Sequence, residues 1–351
     1  MKKISQLNKF YYPQQGGIES CVNQITLKLL NRGNAKILNI TTAPMEPKKI
    51  SSEKIIWKRP FFSVFNIPLS LNFSKSLHAI SESDIVIYHH PNPGFLIELL
   101  FVFFSKKSFI IFWHCNSSKF PFWDWIILLL IIVRTDKKTF LVFSSNNYRK
   151  LVRKKYKFKI ENSYIQPLSH EIEKQNLDFS LTKEIIFVGR LVKYKNLYAA
   201  IDLMRHLPEY KFRIVGSGPE ESKLKNYSRN LDNIEFINNA SDEEKIRLLS
   251  KSDIFILPSN SEAEAFGVSQ LEAAACGNII IRNNKLKTGV SEVFLGMPFI
   301  FDLSSNAKEL AHKIRTHDNL ELLKSQAHQE GKKFFYMENL QKILELISYE
   351  N

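Results

Sequence analysis

The stretch from Glu262 to Gly277, EAEAFGVSQLEAAACG, follows an apolar run, DIFILP (Asp253–Pro258), and a short polar loop. The run reads as a β-strand and the segment from about Gly267 to Ala275 as a helix, so the loop between them stands at a strand's carboxyl end. Gly267 opens that helix and has no Cβ, which lets a ligand come close to the backbone. At the helix start the N–H groups of Phe266, Gly267 and Val268 lack intrahelical partners, and such amides form an anion site that suits a diphosphate. Glu264 precedes the helix and Glu272 lies inside it. Eight helical residues span roughly 12 Å, enough for a sugar–diphosphate–ribose unit. Two glutamates alone would also fit an ordinary amphipathic helix. The strand–Pro–Ser loop before them and the Ala-x-Ala-x-Gly run after them favour the ligand site.

Working outward, the same alternation continues in both directions. In the second half EIIFVG leads to a helix at about Leu197–His206, KFRIVG to one at about Glu220–Asn230, and IEFIN to one at about Asp242–Ser250. In the first half KISQLN precedes a Gly-rich loop and a helix from about Ile18 to Asn31. AKILNI, DIVIYH, SFIIFWH and TFLVFSS then alternate with helices around Phe95–Phe104 and Trp125. The strands are short, rich in β-branched and aromatic residues, and apolar on both faces, as parallel strands covered by helices are. The fold class read from this is α/β, with two Rossmann-like doubly wound domains facing across a cleft. They are placed at 1–170 and 181–335, joined by a polar linker, Gln166–Lys183. A terminal segment, 336–351, carries a helix with a one-sided stripe of Leu340, Ile343, Leu344 and Ile347, available to pack back on the first domain.

Composition narrows the classes. A chain of 351 residues with 44% hydrophobic and 24% charged residues is globular rather than disordered. Cys21, Cys115 and Cys276 are far apart and form no C-x-x-C pair, which speaks against a disulfide framework or zinc site and for a reducing, cytoplasmic compartment. The N-terminus lacks the apolar core of a secretory signal. No apolar run reaches the ~20 residues of a spanning helix. The nearest, WIILLLIIV (Trp125–Val133) and FLIELLFVFF (Phe95–Phe104), read most simply as buried helices and alternatively as lipid-contacting ones. Residues 1–180 hold 26 of the 49 basic and 12 of the 35 acidic residues, so the whole formal charge of +14 lies there. Its densest cluster is Arg149–Lys159. An anionic partner follows: lipid head groups, phosphorylated lipid or nucleic acid.

Glu264, Phe266, Gly267, Glu272, Ala273, Ala275 and Gly277 together resemble the hallmark of glycosyltransferase family 4, retaining enzymes of the GT-B fold. The resemblance implies that Glu264 contacts donor-sugar hydroxyls and Glu272 the ribose hydroxyls, with Ala265, Phe266, Gly267 and Val268 lining the donor. IIFVGRLVKYKNL (Ile185–Leu197) puts Gly189, Arg190 and Lys195 after a strand. Two permanent cations there can neutralise a diphosphate, and the resemblance gives Arg190 and Lys195 that task. Asn196 stands where the family usually has glycine, and asparagine tolerates positive φ; Lys193 is a substitute cation. Gly16 and Gly17 match the family's G-G-x-E loop. His114, in the sequence Trp113–His114–Cys115–Asn116, matches a W-H-S-D site whose histidine contacts the donor sugar; Asn116 replaces its aspartate. Tyr88–Gly94, YHHPNPG, resembles an acceptor-side loop, and Gly216 belongs to a strand end beside the nucleotide.

The resulting expectation is a retaining, metal-independent hexosyltransferase with no cofactor, taking its sugar from a nucleotide-sugar donor. Mannose from GDP-mannose is favoured, and no D-x-D motif is present to hold a metal. The acceptor expected is a lipid-linked saccharide of surface-polysaccharide assembly, such as lipopolysaccharide or capsule. The enzyme would lie at an anionic membrane surface, on the inner face of the plasma membrane, and bind no nucleic acid. The rival readings are a GT-B nucleotide-sugar epimerase, a basic nucleic-acid-binding protein and a transferase-like chain that has lost activity. The intact Glu264, Glu272, Arg190 and Lys195 oppose the last.

Overall fold

The computed structural model describes the chain except residues 15, 34, 65–66, 71, 117–120, 135–137, 158–161, 173–176, 337–339 and 349–351, and describes 62–64, 67–69, 121 and 133 in backbone only. The chain divides into two compact units, Met1–Leu168 with Asn339–Asn351, and Ser169–Glu338.

The first unit is built on a sheet of β1 (Lys2–Asn8), β2 (Ala35–Thr41), β3 (Lys54–Trp57), β6 (Ile85–His90), β7 (Ser108–Trp113), β8 (Thr139–Phe143) and β9 (Ser163–Ile165), in the order β3-β2-β1-β6-β7-β8-β9. Every pairing in it is parallel. All six residues of β6 and of β7 are buried, which is why these runs carry no polar alternation. Helices α1 (Gly17–Asn31), α2 (Ser74–Ser81), α3 (Leu96–Phe103), α4 (Pro121–Val133) and α5 (Asn146–Tyr156) connect the strands, and a small antiparallel hairpin, β4 (Phe62–Val64) with β5 (Ile67–Leu69), stands apart. The strand β3, the hairpin and α2 are absent from the sequence reading. Their segments run to only three, four or eight residues, too short for periodicity to announce them.

The second unit has the sheet β12-β11-β10-β13-β14-β15, where β10 is Glu184–Val188, β11 Lys211–Val215, β12 Ile234–Ile237, β13 Ile254–Leu257, β14 Ile279–Arg282 and β15 Ile300–Asp302. Its helices are α6 (Leu197–Met204), α7 (Glu221–Tyr227), α8 (Asp242–Lys251), α9 (Val268–Ala275), α10 (Gly289–Glu292), α11 (Ala307–Arg315) and α12 (Leu320–Lys332). The order reverses at β10, which pairs with β11 on one side and β13 on the other. In open parallel sheets such a reversal leaves a crevice at the strands' carboxyl ends.

The expected linker Gln166–Lys183 is not a free connection. The backbone N–H groups of Thr182 and Lys183 donate to the buried Asp253 carboxylate, and Lys324 Nζ donates to the Ser180 carbonyl at 2.9 Å. These bonds tie the end of the segment to the second unit, and the contacts of the chain as a whole divide it at Ser169, ahead of the expected 181. The last helix, α13 (Gln341–Ser348), belongs to the first unit. Lys2 Nζ donates to the Ile347 carbonyl at 2.7 Å, and Gln166 Oε1 accepts from the Lys342 N–H at 3.1 Å.

Two further corrections concern helices. The apolar runs in α3 and α4 are not buried all round: Leu96, Ile97, Leu100 and Phe101 on α3, and Phe122, Trp125, Leu129 and Ile132 on α4, are exposed. And the Ala-x-Ala-x-Gly run serves packing. A Cβ on Gly331 of α12 would lie 2.3 Å from the Ala275 backbone nitrogen, so α12 presses directly on α9. The Ala275 carbonyl also lies 2.6 Å from His328 Nδ1. Gly277 has φ +81°, and a Cβ there would meet the Phe179 ring at 2.9 Å. Gly331→Ala is therefore expected to force backbone apart and cost about 1–3 kcal/mol, read as a lowered thermal midpoint, whereas Gly296→Ala meets no neighbour and is strained only by its own φ.

Candidate functional site

The reversal in the second sheet brings the predicted residues together. After β10 the chain passes Gly189 and Arg190, makes a tight turn over Lys193–Lys195, and places Asn196 at φ +51° before α6. Asparagine thus fills the left-handed position where the sequence pattern has glycine. After β13 the loop carries Ser259 and Glu264 to Gly267, the left-handed residue (φ +75°) that caps α9. The helix proper starts at Val268, one residue later than the sequence suggested. The two loops are laced by the Asn260 N–H donating to the Tyr194 carbonyl at 3.1 Å.

Across this lacing Lys195 Nζ lies 2.5 Å from Glu264 Oε2, with both side chains about nine-tenths buried. The same carboxylate oxygen accepts from Ser259 Oγ at 3.1 Å. Thr288 Oγ1 donates to the Glu264 carbonyl at 2.8 Å, and the Gly289 N–H to the Ala265 carbonyl at 2.8 Å, fixing the segment from behind. The N–H groups of Phe266, Gly267 and Val268 donate to no described residue, although Phe266 and Gly267 are buried. Buried donors without partners are costly unless a ligand or water takes them.

The remaining residues fall around this centre. Gly189 (φ +154°) lies where an added Cβ would approach Lys195 Nζ to 3.7 Å. Gly216 (φ +136°) abuts it, since a Cβ there would meet the Gly189 carbonyl oxygen at 2.1 Å. Glycine at both positions lets two strand ends touch. Arg190 and Lys193 are exposed. Glu272 is not beside Lys195; its carboxylate is held by Lys245 Nζ of α8 at 3.1 Å. Lys245 and Thr288 are site neighbours outside the predicted set, brought from α8 and from the loop before α10 with no spacing signal to link them to the glutamates. Ser259 belongs to the polar loop already read before Glu264 and proves to bond its carboxylate.

In the first unit, Gly16 is extended (φ 169°) and Gly17 begins α1. His114, just past β7, is buried, and its Nε2 lies 2.8 Å from Nδ1 of His89 on β6. The His89 Nε2 lies 3.1 Å from Gln6 Oε1 on β1. Next to it His90 Nε2 donates to Asp124 Oδ1 of α4 at 2.8 Å, while His90 Nδ1 is buried without a partner. Burial drives His114 down to about 3, with the nearby His90 adding to it. His89 is likewise pushed well below its ordinary value by burial, and His90 by burial against the opposing pull of Asp124. All three are neutral at physiological pH. His114 is therefore a hydrogen-bonding group at that pH and not a cation.

A group whose folded-state value is depressed contributes stability above its unfolded value and loses it as pH falls. Unfolded histidines take protons from about pH 6.5 downward; the folded ones resist. Stability is thus expected to fall on acidification below about pH 6.5, by up to about 1.4 kcal/mol per pH unit for each histidine. Thermal midpoints measured from pH 7.5 to 4.5 check this, and His90→Gln should flatten the slope.

Known proteins resemble the chain in sequence and in fold. Residues 169–334, nearly the whole second unit, match the family described as Glycosyl transferases group 1. The chain is 26% identical to the D-rhamnosyltransferase WbpZ of Pseudomonas aeruginosa over 79% of its length and 76% of the relative's. It is also 26% identical to an O-antigen chain mannosyltransferase C of Escherichia coli, over 82% and 81%. Among solved structures, Anabaena HepE in complex with UDP superposes with a TM-score of 0.75 at 16% identity, covering 99% of this chain and 100% of that one. WaaG, from lipopolysaccharide biosynthesis, gives 0.69 at 15%, covering 98% and 99%.

Proposed function

From the premise that the chain is a GT-B glycosyltransferase with a group 1 second unit, resembling surface-polysaccharide mannosyltransferases, we propose that it moves a hexose, mannose first, from a nucleotide sugar to a lipid-linked saccharide with retention. The observation that carries the reading is the buried Lys195–Glu264 pair beside three unclaimed amides at the start of α9. Breaking a nucleotide-sugar bond builds negative charge on the leaving diphosphate. Lys195, the exposed guanidinium of Arg190, and the amides of Phe266 to Val268 supply positive charge and fixed donors to oppose it, which is transition-state stabilisation by preorganised dipoles. Glu264, held beside Lys195, accepts from sugar hydroxyls. Glu272, held by Lys245, accepts from ribose hydroxyls. The leaving phosphate can take the acceptor's proton, so no separate base is assigned. Protein cations in this role support a reaction without a metal.

The donor is assigned from relatives that include a mannosyltransferase and a D-rhamnosyltransferase. In the assay, purified protein is mixed with GDP- and UDP-sugars and a lipid-linked acceptor extract, with and without EDTA. Transfer should persist in EDTA and should prefer GDP-mannose. Lys195→Ala should lower kcat by about 10²-fold or more and leave a buried, unpaired Glu264 carboxylate. Arg190→Ala should weaken transfer without lowering the thermal midpoint. Full activity in both variants would refute the diphosphate role.

Helices α4 and α5 support a reading in which the protein attaches to a membrane surface. Phe122, Trp125, Leu129 and Ile132 recur on one exposed face of α4. The Trp125 ring meets Tyr156 of α5 edge-on, with centroids 5.3 Å apart. Helix α5 carries Arg149, Lys150, Arg153, Lys154 and Lys155. An apolar face beside a basic helix suits the interface of an anionic leaflet, where each cation is worth about 1 kcal/mol. No helix among the described residues is long and apolar enough to cross a membrane. Flotation with anionic vesicles should capture the protein, high salt should weaken capture, and replacing both Trp125 and Leu129 with serine should abolish it. Equal capture by zwitterionic vesicles would remove the electrostatic half of this assignment.

A further inference from the structure

A buried chain of hydrogen bonds runs through the first unit from Glu53 to His114, and its direction can be derived. Glu53 is buried, and its carboxylate accepts from the N–H groups of Ile50 (2.7 Å) and Ser51 (2.8 Å). A carboxylate so held only accepts, so the Tyr11 hydroxyl donates to it, at 3.1 Å. The Tyr11 oxygen then accepts from Asn39 Nδ2 at 3.1 Å, which turns Asn39 Oδ1 toward Gln6. Gln6 Nε2 donates one hydrogen to that oxygen at 2.7 Å and points the other between the Val22 carbonyl at 3.2 Å and Thr26 Oγ1 at 3.0 Å. The Val22 carbonyl, which cannot donate, fixes the Gln6 amide independently. Gln6 Oε1 therefore faces His89 Nε2, and that nitrogen must carry the proton.

His89 is neutral, so its Nδ1 is bare and accepts from His114 Nε2–H at 2.8 Å. The ring planes differ by 12° with centroids 5.1 Å apart. That separation is little more than the nitrogen–nitrogen distance plus a ring radius at each end, so the rings lie edge to edge in nearly one plane. Phe112 lies nearly parallel to both, at 13° and 16°. The His114 Nδ1 is left as a bare nitrogen. It bonds to no described residue and, unlike His90 Nδ1, is not among the sealed atoms without partners.

We propose that Gln6 and His89 are positioning residues that lock His114 in the Nε2–H tautomer, so that Nδ1 is an acceptor-only contact selecting a hydroxyl of the donor sugar. The hydroxyl half rests on the transferase reading above; the lock does not. A neutral imidazole with its only proton committed inward cannot donate outward. A fluorine or a bare ring carbon in place of that hydroxyl leaves Nδ1 without a donor, and a site built to bond a hydroxyl discriminates strongly against analogues that lack it.

The thiol of Cys21 lies close by: its sulfur, His89 Nδ1 and His114 Nε2 all fall within 4.8 Å of one another, a set that could ligate a metal. The geometry opposes that use. Two nitrogens at about 2.0–2.1 Å from a tetrahedral zinc stand about 3.3 Å apart, whereas these face each other at 2.8 Å, joined by a proton.

The test starts with the wild-type chain, whose histidine ring ¹⁵N spectrum at neutral pH reads the tautomer directly. His114 is expected to show Nε2 protonated and Nδ1 bare, with the assignment made by loss of its signals in His114→Ala. A protonated Nδ1 overturns the lock, whatever the enzyme transfers. So does stoichiometric zinc uptake that Cys21→Ser abolishes. In Gln6→Leu, checked for folding by thermal midpoint, the locked signature should give way to a tautomer mixture. A folded variant that keeps the signature overturns the role of Gln6. Monodeoxy and deoxyfluoro donors then test the hydroxyl. At one ring position both should lose tenfold or more in kcat/KM, and His114→Ala should erase that difference. If transfer is robust and no position behaves so, the hydroxyl contact is overturned while the transferase reading stands. If no donor is transferred at all, the transferase reading falls, and with it the hydroxyl contact, but not the lock.

Discussion

The candidate site of the second unit depends on a desolvated ion pair. Lys195 and Glu264 come from loops after β10 and β13, neighbouring strands on either side of a reversal in sheet order, and neither side chain is comfortable in that position alone. A buried charge without its partner costs several kcal/mol, so each residue holds the other's loop in place. The pair also fixes what the site can do. It puts a carboxylate in a sheltered place, on the loop that leads to amides with no partner among the described residues. The glycines follow from the same need. Gly189 and Gly216 let two strand ends touch, and Gly267 turns the chain into α9 without a side chain in the way.

The first unit works from the opposite electrostatic principle. Around β6 and β7 it collects neutral histidines, and burial keeps them neutral. Where the second unit offers cations and free amides, the first offers directed lone pairs. Polarity comes from a carboxylate at one end of the chain, Glu53, and is handed on through Tyr11, Asn39 and Gln6 by the rule that each group must donate what its neighbour can only accept. Such fully satisfied buried networks specify one arrangement because any reversal strands a polar atom.

The sequence was most legible where chemistry and backbone demands coincide locally. Glu264, Gly267 and the helix after them lie within a dozen residues, so their spacing could be read as a loop and a helix start. Arg190, Lys195 and Asn196 were legible for the same reason, and Asn196 does take the left-handed conformation. Partners that meet across the sheet were not. Lys245 meets Glu272 from α8, and Gln6 meets His89 across 83 residues, because register between strands is a tertiary fact with no local trace. The alanines after Glu272 were read as part of a binding signature, and nothing local showed that the backbone at Ala274 and Ala275 also takes Gly331 of α12. The apolar runs of α3 and α4 were given their simplest reading, burial, because near-continuous hydrophobicity hides which face points outward.

The return of α13 to the first unit bears on how the protein is made. The opening strand of the chain is bonded to the closing helix, through Lys2 and the carbonyl of Ile347, with the whole second unit encoded between them. A ribosome therefore releases all residues of the second unit before it releases the segment that completes the first. The earlier-born half must wait, unfinished and with its apolar surface for Leu340, Ile343, Leu344 and Ile347 uncovered, until that helix emerges. A stop codon near residue 338 would spare every residue of the later-born half and yet wound the earlier one.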